Sequence, residues 1–179
     1  MYILYSILLF LSLLIFIPVY FVRLKLVRRE SLFLKERLGL RLPQRIPLKK
    51  SIWIHAVSVG EVLSLQNLVK TIKQRHPGWA IYFSTLTNTG MRVAKEKLKG
   101  VDQIFFVPLD FASVVKKFFE ALRPNLFVLA ESEFWPNLLR EARRETGKVL
   151  LINGRISDRS FKRYSRFKRF ARKILNNIN

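Results

Sequence analysis

The sequence predicts an α/β protein in which helices cover both faces of a parallel sheet. From residue 51 onward, five short apolar runs of strand type alternate with segments that have helical spacing. Such alternation produces β-α-β units, whose strands run parallel. Polar residues follow four of these runs, at the positions where loops should lead into helices. An uncharged amino-terminal segment stands apart from this pattern.

The amino-terminal segment predicts a membrane anchor. Residues 2–22 carry no charge and, as a helix, would be roughly 31 Å long, enough to cross the hydrocarbon layer. No Lys or Arg precedes this segment, four follow between residues 23 and 29, and no small-residue cleavage motif is present, which favours a retained anchor over a cleaved signal. Because basic flanks stay cytoplasmic, we expect a single-pass span at 1–22 with the remaining chain in the cytoplasm.

The next segment, residues 23–50, is a basic juxtamembrane connector. Its apolar residues between 24 and 38 favour an amphipathic helix near the membrane interface. Gly39, Pro43 and Pro47 then interrupt helical order. We therefore expect the folded domain to occupy residues 51–179.

The elements of that domain are predicted from the spacing of apolar residues. The predicted strands are 52–57, 79–84, 103–107, 125–130 and 148–152, and the predicted helices are 59–75, 89–98, 111–122 and 135–145. A final segment, 160–179, forms an aromatic stripe among Lys and Arg residues. A basic amphipathic helix of this kind binds a membrane surface or a partner, or is an ordinary domain helix with a solvated face.

Composition limits the chemistry and the partners. The chain has no cysteine, which excludes disulfides, thiolate nucleophiles and cysteine-bound metal and fits a reducing compartment. A net charge of +21 indicates an anionic partner such as nucleic acid, an anionic membrane or a phosphorylated substrate, although it could simply aid solubility. The apolar anchor favours the membrane surface. Nucleic acid would leave that anchor and the acidic loops unexplained.

Two predicted strands are followed by loops that carry carboxylates. Ligands of parallel sheets bind beyond the carboxyl ends of the strands. After the first strand, Ser58, Gly60 and Glu61 lead into a helix, and Glu61 is either a base at the rim or a favourable partner of the helix dipole. Glu131 and Glu133 follow the fourth strand, where spacing of two can turn both acids to one side. A metal site there is not expected, because no His or third carboxylate is near.

Two further loops have the composition of binding sites for oxygen-rich or anionic groups. Thr87, Asn88, Thr89 and Gly90 follow the second strand and offer more polar groups than a helix cap requires, so sugar or phosphate binding and capping are both open. Arg155 follows the fifth strand beside a glycine, which suits an anionic group or a plain turn. The two histidines are expected to be structural, since no nucleophile motif accompanies them.

In combination these motifs resemble the 3-deoxy-D-manno-octulosonic acid (Kdo) transferase family. The matching residues are Glu36–Gly39, Ser58–Glu61, Thr87–Gly90, Glu131–Asn137 and Asn153–Ser157. The resemblance implies a glycosyltransferase of the GT-B architecture with two Rossmann-like halves, of which this chain is the amino-terminal, acceptor-side half. It implies inverting transfer of Kdo from CMP-Kdo to a lipid A precursor, lipid IVA, in lipopolysaccharide synthesis at the bacterial inner membrane, without a metal or other cofactor.

The same resemblance implies roles for individual residues. Glu61 would accept the proton of the acceptor hydroxyl, and Glu131 would stabilise the transition state. The residues implied for acceptor binding are Ser58, Gly60, Thr87, Asn88, Thr89, Gly90 and Arg155. We expect Glu61 and Glu131 to converge on one rim of the sheet.

The family's carboxy-terminal, donor-binding domain is missing from this sequence, so we expect the chain alone to be inactive. The alternative is a membrane-tethered basic module that binds anionic lipid or a partner without catalysis.

Overall fold

The alternating elements form one α/β domain. A computed structural model describes residues 1–27, 33–47 and 50–179, with the backbone alone for residues 17–27. The strands are β1 (Lys50–His55), β2 (Trp79–Thr85), β3 (Gln103–Phe106), β4 (Leu126–Ala130) and β5 (Val149–Ile152). The helices are α1 (Tyr2–Val27), α2 (Leu34–Arg37), α3 (Val59–Ser64), α4 (Gln66–Arg75), α5 (Asn88–Lys97), α6 (Ala112–Leu122), α7 (Pro136–Thr146), α8 (Asp158–Arg166) and α9 (Lys168–Leu175). The predicted α/β class is confirmed.

The sheet is parallel and Rossmann-like. Its strand order is β3-β2-β1-β4-β5, and every neighbouring pair runs parallel. From β1 the chain builds outward on one side through β2 and β3, and then on the other through β4 and β5. The carboxyl ends of β1 and β4 therefore flank a topological switch point, where open α/β sheets bind their ligands.

Alternation along the strands divides the core into two layers. Trp53, Tyr82 and Phe127 point to the face covered by α6, α7 and α9. Ile54 and Phe83 point to the opposite face, under α3, α4 and α5. Successive strand residues face opposite sides of a sheet, and each large apolar side chain buried there contributes about 1.5–3 kcal/mol. This two-sided burial fixes the register of the strands that carry the loops.

Two segments that were predicted as single helices are each broken. Leu65 ends α3 and begins α4, and its N–H is shared between the carbonyls of Glu61 and Val62. Phe167, with φ −110° and ψ 42°, separates α8 from α9. Apolar spacing is retained across both breaks, which is why the sequence pattern did not reveal them.

The first helix packs on the domain. The guanidinium carbon of Arg140 lies 4.4 Å from the centre of the Tyr2 ring, and Asn137 Nδ2 donates to Ser6 Oγ at 3.2 Å. Among the described residues, no helix combines the length and the apolar character needed to cross a membrane. The predicted single-pass anchor at 1–22 is not supported.

The connector also contacts the domain. Arg37 Nη2 donates to the Leu86 carbonyl at 2.5 Å, and the Arg37 carbonyl accepts from Leu109 N–H at 2.9 Å. These contacts place α2 beside the loops that follow β2 and β3. The amphipathic helix predicted within 24–38 falls partly on residues 28–32, which lie outside the described residues.

Candidate functional site

The crevice between β1 and β4 places the two predicted acids at one edge of the sheet. His55 of β1 is in register with Leu129 of β4, so both strands end at nearly the same level. Glu61 lies in the first turn of α3, which follows β1, and Glu131 directly follows β4. Both acids therefore lie at the carboxyl edge, one on each side of the switch point.

Glu61 completes a capping box at the start of α3. Its Oε2 accepts from Val57 N–H at 2.8 Å and its Oε1 from Ser58 N–H at 3.2 Å, while Ser58 Oγ accepts from Glu61 N–H at 3.2 Å. The residue is only 5% exposed. A carboxylate has about four lone-pair sites, so these two bonds leave acceptor capacity unused. Glu61 thus has a definite structural role, and its position also suits a base at the crevice.

Gly60 leaves an opening beside this carboxylate. A Cβ added at Gly60 would meet no atom closer than Ser58 Oγ, at 3.9 Å. Both Gly60 and Ser58 are exposed. Among the described residues, no packing contact therefore requires glycine at this position, and its backbone is open to solvent.

Gly90 is glycine for a packing reason. A Cβ there would lie 2.5 Å from Thr85 Oγ1 and 3.2 Å from the Val57 carbonyl. Thr87 caps α5 by accepting from Gly90 N–H at 2.9 Å, and Thr85 Oγ1 donates to the Val57 carbonyl at 3.3 Å. These contacts hold the start of α5 against the loop after β1. They account for Thr87 and Gly90 structurally and place Asn88 and Thr89 beside that loop.

The two acids after β4 have different environments. Glu131 has φ 58°, a left-handed conformation that is unfavourable for a residue with a Cβ. Its N–H donates to the Ile152 carbonyl at 2.9 Å, which joins the end of β4 to β5. Glu133 Oε2 instead accepts from Trp135 Nε1 at 2.7 Å. The backbone of Glu131 is therefore held at the end of β4, whereas the carboxylate of Glu133 is engaged by Trp135. Strained backbone of this kind tends to occur at functional sites.

Arg155 lies in the exposed loop between β5 and α8. Asn153, at the start of that loop, also has positive φ and donates from Nδ2 to Ser64 Oγ of α3 at 3.4 Å. Arg155 thus belongs to the same sheet edge as the other predicted residues. Within the described ranges, no group of three or more His, Asp or Glu side chains could hold a metal ion.

His55 lies inside the domain, at the end of β1. Its Nδ1 lies 2.9 Å from Ser84 Oγ, which also accepts from Trp53 Nε1 at 2.8 Å. Complete burial lowers the pKa of His55 to about 4. The ring is therefore neutral at physiological pH and is not placed to serve as a surface base.

Asp110 is a buried carboxylate that the sequence analysis missed. It caps α7 from the loop after β3, because its two oxygens accept from Asn137 N–H at 3.1 Å and Leu138 N–H at 2.7 Å. Tyr5 of α1 also bonds to it. Burial raises the pKa of Asp110 to about 6, and these hydrogen bonds only partly oppose that effect. The available signal was a lone acid after the third strand, but its partners lie far away in sequence.

Comparison with known proteins identifies the family. Residues 33–179 match the family model described as 3-deoxy-D-manno-octulosonic-acid transferase (kdotransferase). The chain is 37% identical to the Rickettsia felis 3-deoxy-D-manno-octulosonic acid transferase over 75% of its length and 30% of the relative's. The Rickettsia bellii transferase is 32% identical over 98% of this chain and 41% of its own length, and the Chlamydia pneumoniae transferase is 34% identical over 76% and 31%. The chain spans less than half the length of these relatives and belongs to the Kdo transferase family.

Proposed function

We propose that this chain is the acceptor-side part of a Kdo transferase that moves Kdo from CMP-Kdo to a lipid A precursor, lipid IVA, with inversion and without a metal. The observation that carries the proposal is the position of Glu61 and Glu131 on either side of the switch point between β1 and β4. Family membership supplies the reaction class, since the relatives are Kdo transferases.

The proposed reaction is a single displacement. Glu61 takes the proton of an acceptor hydroxyl while that oxygen forms a bond to the anomeric carbon of Kdo. The bond from that carbon to the CMP oxygen breaks, and CMP leaves with the bonding electrons. Glu131 stabilises the positive character that develops on the sugar. The unused lone pairs of Glu61 support its part, because the cap occupies only one contact on each oxygen.

The remaining predicted residues are proposed to hold the acceptor. Gly60 offers open backbone beside Glu61, and Ser58 is exposed next to it. Asn88 and Thr89 present polar groups at the start of α5, together with the capping residues Thr87 and Gly90. Arg155 supplies a positive charge at the same edge, suited to an anionic group of the lipid.

A chimaera tests the assignment of Glu61. In it, residues 1–179 replace the matching segment of the Rickettsia bellii transferase, which supplies the rest of the enzyme. We expect Kdo transfer from CMP-Kdo to lipid IVA, and we expect Glu61→Gln to lower it about 10²–10⁴-fold. Glutamine also serves at this position of a capping box, but it can keep only one of the two acceptor bonds to Val57 and Ser58, so the folding of the variant is verified by its thermal melting point. The matched control is Glu96→Gln on the exposed part of α5. Transfer that is unchanged by Glu61→Gln would remove the proposed base.

A second candidate function is binding of an anionic membrane surface. α1 exposes large apolar side chains, and Phe161 and Phe167 are exposed among the Lys and Arg residues of α8 and α9. We infer that these surfaces contact the inner-membrane headgroups and the upper part of the acyl region. The chain should cosediment with phosphatidylglycerol vesicles, less so at high salt and less after Phe161→Ser plus Phe167→Ser. Equal binding to neutral vesicles would contradict the electrostatic part. If the chimaera binds these vesicles but transfers no Kdo, membrane binding becomes the better description of this chain.

A further inference from the structure

A cleft of about 440 Å³ lies between α1, the loop Ser132–Pro136 and the helices α8 and α9. Its volume is within the range of small-molecule sites, about 300–1,000 Å³. Most of its wall is hydrocarbon and aromatic, contributed by Leu9, Phe134, Trp135, Phe170, Ile174 and Leu175. None of the sequence motifs predicted this cleft, because its three walls come from distant parts of the chain.

Two polar groups at the wall are bonded within the protein. The indole N–H of Trp135 donates to Glu133 at 2.7 Å, and the Tyr5 hydroxyl bonds to Asp110. Because of these bonds, the Trp135 N–H and the Tyr5 hydroxyl are not available as donors to a ligand in the cleft. Since a polar ligand needs partners for its own donors and acceptors, the lining favours an apolar occupant.

The helices that line the cleft also expose basic residues next to the lining residues in the chain. Tyr164 lines the cleft, and the Arg163 guanidinium carbon lies 5.7 Å from the centre of its ring. On α9 the lining residues Phe170 and Ile174 are flanked by exposed Arg169, Arg172 and Lys173. An apolar interior on helices that expose basic residues suits an amphiphile that has a hydrocarbon chain and an anionic head.

We propose that this cleft binds one fatty acyl chain of the glycolipid acceptor. The class of occupant, an anionic amphiphile, follows from the lining and the exposed basic residues. The naming of the acceptor as its source rests on the proposed function. It is supported by Ser132, which lines the cleft and directly follows Glu131 in the chain. A chain held here would anchor the lipid while its sugar lies at the crevice.

Alkyl phosphates test the class of occupant without any catalysis. The 179-residue chain is kept in a steroid-based detergent, which has no alkyl chain, and is titrated with hexyl, octyl, decyl and dodecyl phosphate by calorimetry. Burial of each methylene contributes about 0.8 kcal/mol, which is about fourfold in affinity. We expect affinity to rise by roughly fifteenfold for every two carbons until the cleft is filled. Affinity that does not depend on chain length would overturn the proposal.

Variants at the cleft locate the binding. Ala171 lines it and is 9% exposed, so Ala171→Phe should reduce affinity for dodecyl phosphate at least tenfold. The matched control is Ala121→Phe on α6, outside the lining. Phe170→Ala enlarges the cleft and should move the affinity limit to longer chains, which keeps the test decisive if Ala171→Phe unfolds. This location would be contradicted if a folded Ala171→Phe protein bound dodecyl phosphate as tightly as the wild type. It would also be contradicted if affinity for alkyl phosphates stopped rising at the same chain length in Phe170→Ala as in the wild type.

Competition between lipids for the cleft identifies the lipid that supplies the acyl chain. Lipid IVA should displace bound dodecyl phosphate at least tenfold more effectively than phosphatidylglycerol of matched chain length. Equal displacement would show a site for bilayer lipid and overturn the acceptor assignment. This measurement needs neither CMP-Kdo nor Glu61. Acyl-chain binding in the cleft can therefore be refuted while Kdo transfer is confirmed, and Kdo transfer can be refuted while acyl-chain binding is confirmed.

Discussion

Glycine at position 131 is expected to give a more stable domain than alanine at the same position. Glu131 has φ 58°, a conformation in which the Cβ of an L-residue crowds the following carbonyl oxygen at a cost of about 1–2 kcal/mol. Glycine removes that cost but gives the unfolded chain more freedom, which opposes it by about 0.4–1 kcal/mol. The fair comparison is Glu131→Ala, which also lacks the carboxylate. Glu131→Gly should be the more stable of the two variants by about 0.5–1 kcal/mol.

Urea unfolding of the isolated chain measures this difference. With a slope of about 2 kcal/mol per M, the midpoint of Glu131→Gly should lie roughly 0.3–0.5 M above that of Glu131→Ala. Glu133 serves as the control, because it is not among the described residues that have positive φ, so glycine there should be less stable than alanine. If glycine at 131 is no better than alanine, the backbone at the end of β4 is not strained. In the chimaera, Glu131→Gly should still lose transfer.

Two further predictions concern stability. Two buried groups have opposite effects on stability between about pH 4 and pH 6. The pKa of His55 is lowered from 6.5 to about 4, so His55 destabilises the fold as pH falls. The pKa of Asp110 is raised from 3.8 to about 6, so Asp110 destabilises the fold as pH rises. The free energy of unfolding of the wild-type chain should therefore change little between about pH 4 and pH 6. In Asp110→Asn, the free energy of unfolding should fall by about 3 kcal/mol toward pH 4, as measured by urea titrations. If the free energy of unfolding of that variant did not depend on pH, the assignment would be contradicted. Gly90→Ala should cost about 1–3 kcal/mol of unfolding free energy because its Cβ would overlap Thr85. Gly60→Ala should change stability little and lower acceptor affinity instead, and equal thermal shifts for these two alanine variants would refute the distinction.

The alternation of strands and helices could be predicted from the sequence because helices cover both faces of the sheet. This burial requires apolar residues at regular spacing in each strand and helix. The strand order could not, since it depends on which strands pair rather than on how each one is patterned. Glu61 illustrates the same limit at the site. Its place at the rim followed from its position after β1, but its capping bonds to Val57 and Ser58 depend on a turn geometry that spacing does not specify.

The contacts of the amino-terminal helix with the domain could not be predicted from hydropathy. An uncharged apolar segment needs an apolar environment, and hydropathy does not distinguish a bilayer from a protein surface. The contacts of Tyr2 with Arg140 and of Ser6 with Asn137 attach the first turns of α1 to α7, while the large apolar side chains of α1 stay exposed. The cleft was missed for a related reason, because Leu9, Trp135 and Ile174 are brought together only by the docking of α1 and α9.

A double-mutant cycle on Glu61 and Glu131 in the chimaera tests most directly whether both acids act in one crevice. The rate of Kdo transfer would be measured for Glu61→Gln, Glu131→Gln and the double variant. We expect each single change to lower the rate at least about a hundredfold. We also expect the double variant to lose much less than the product of the two, because groups that serve the same transition state are not additive. A near-normal rate for either single variant, or strictly multiplicative losses, would contradict the proposal.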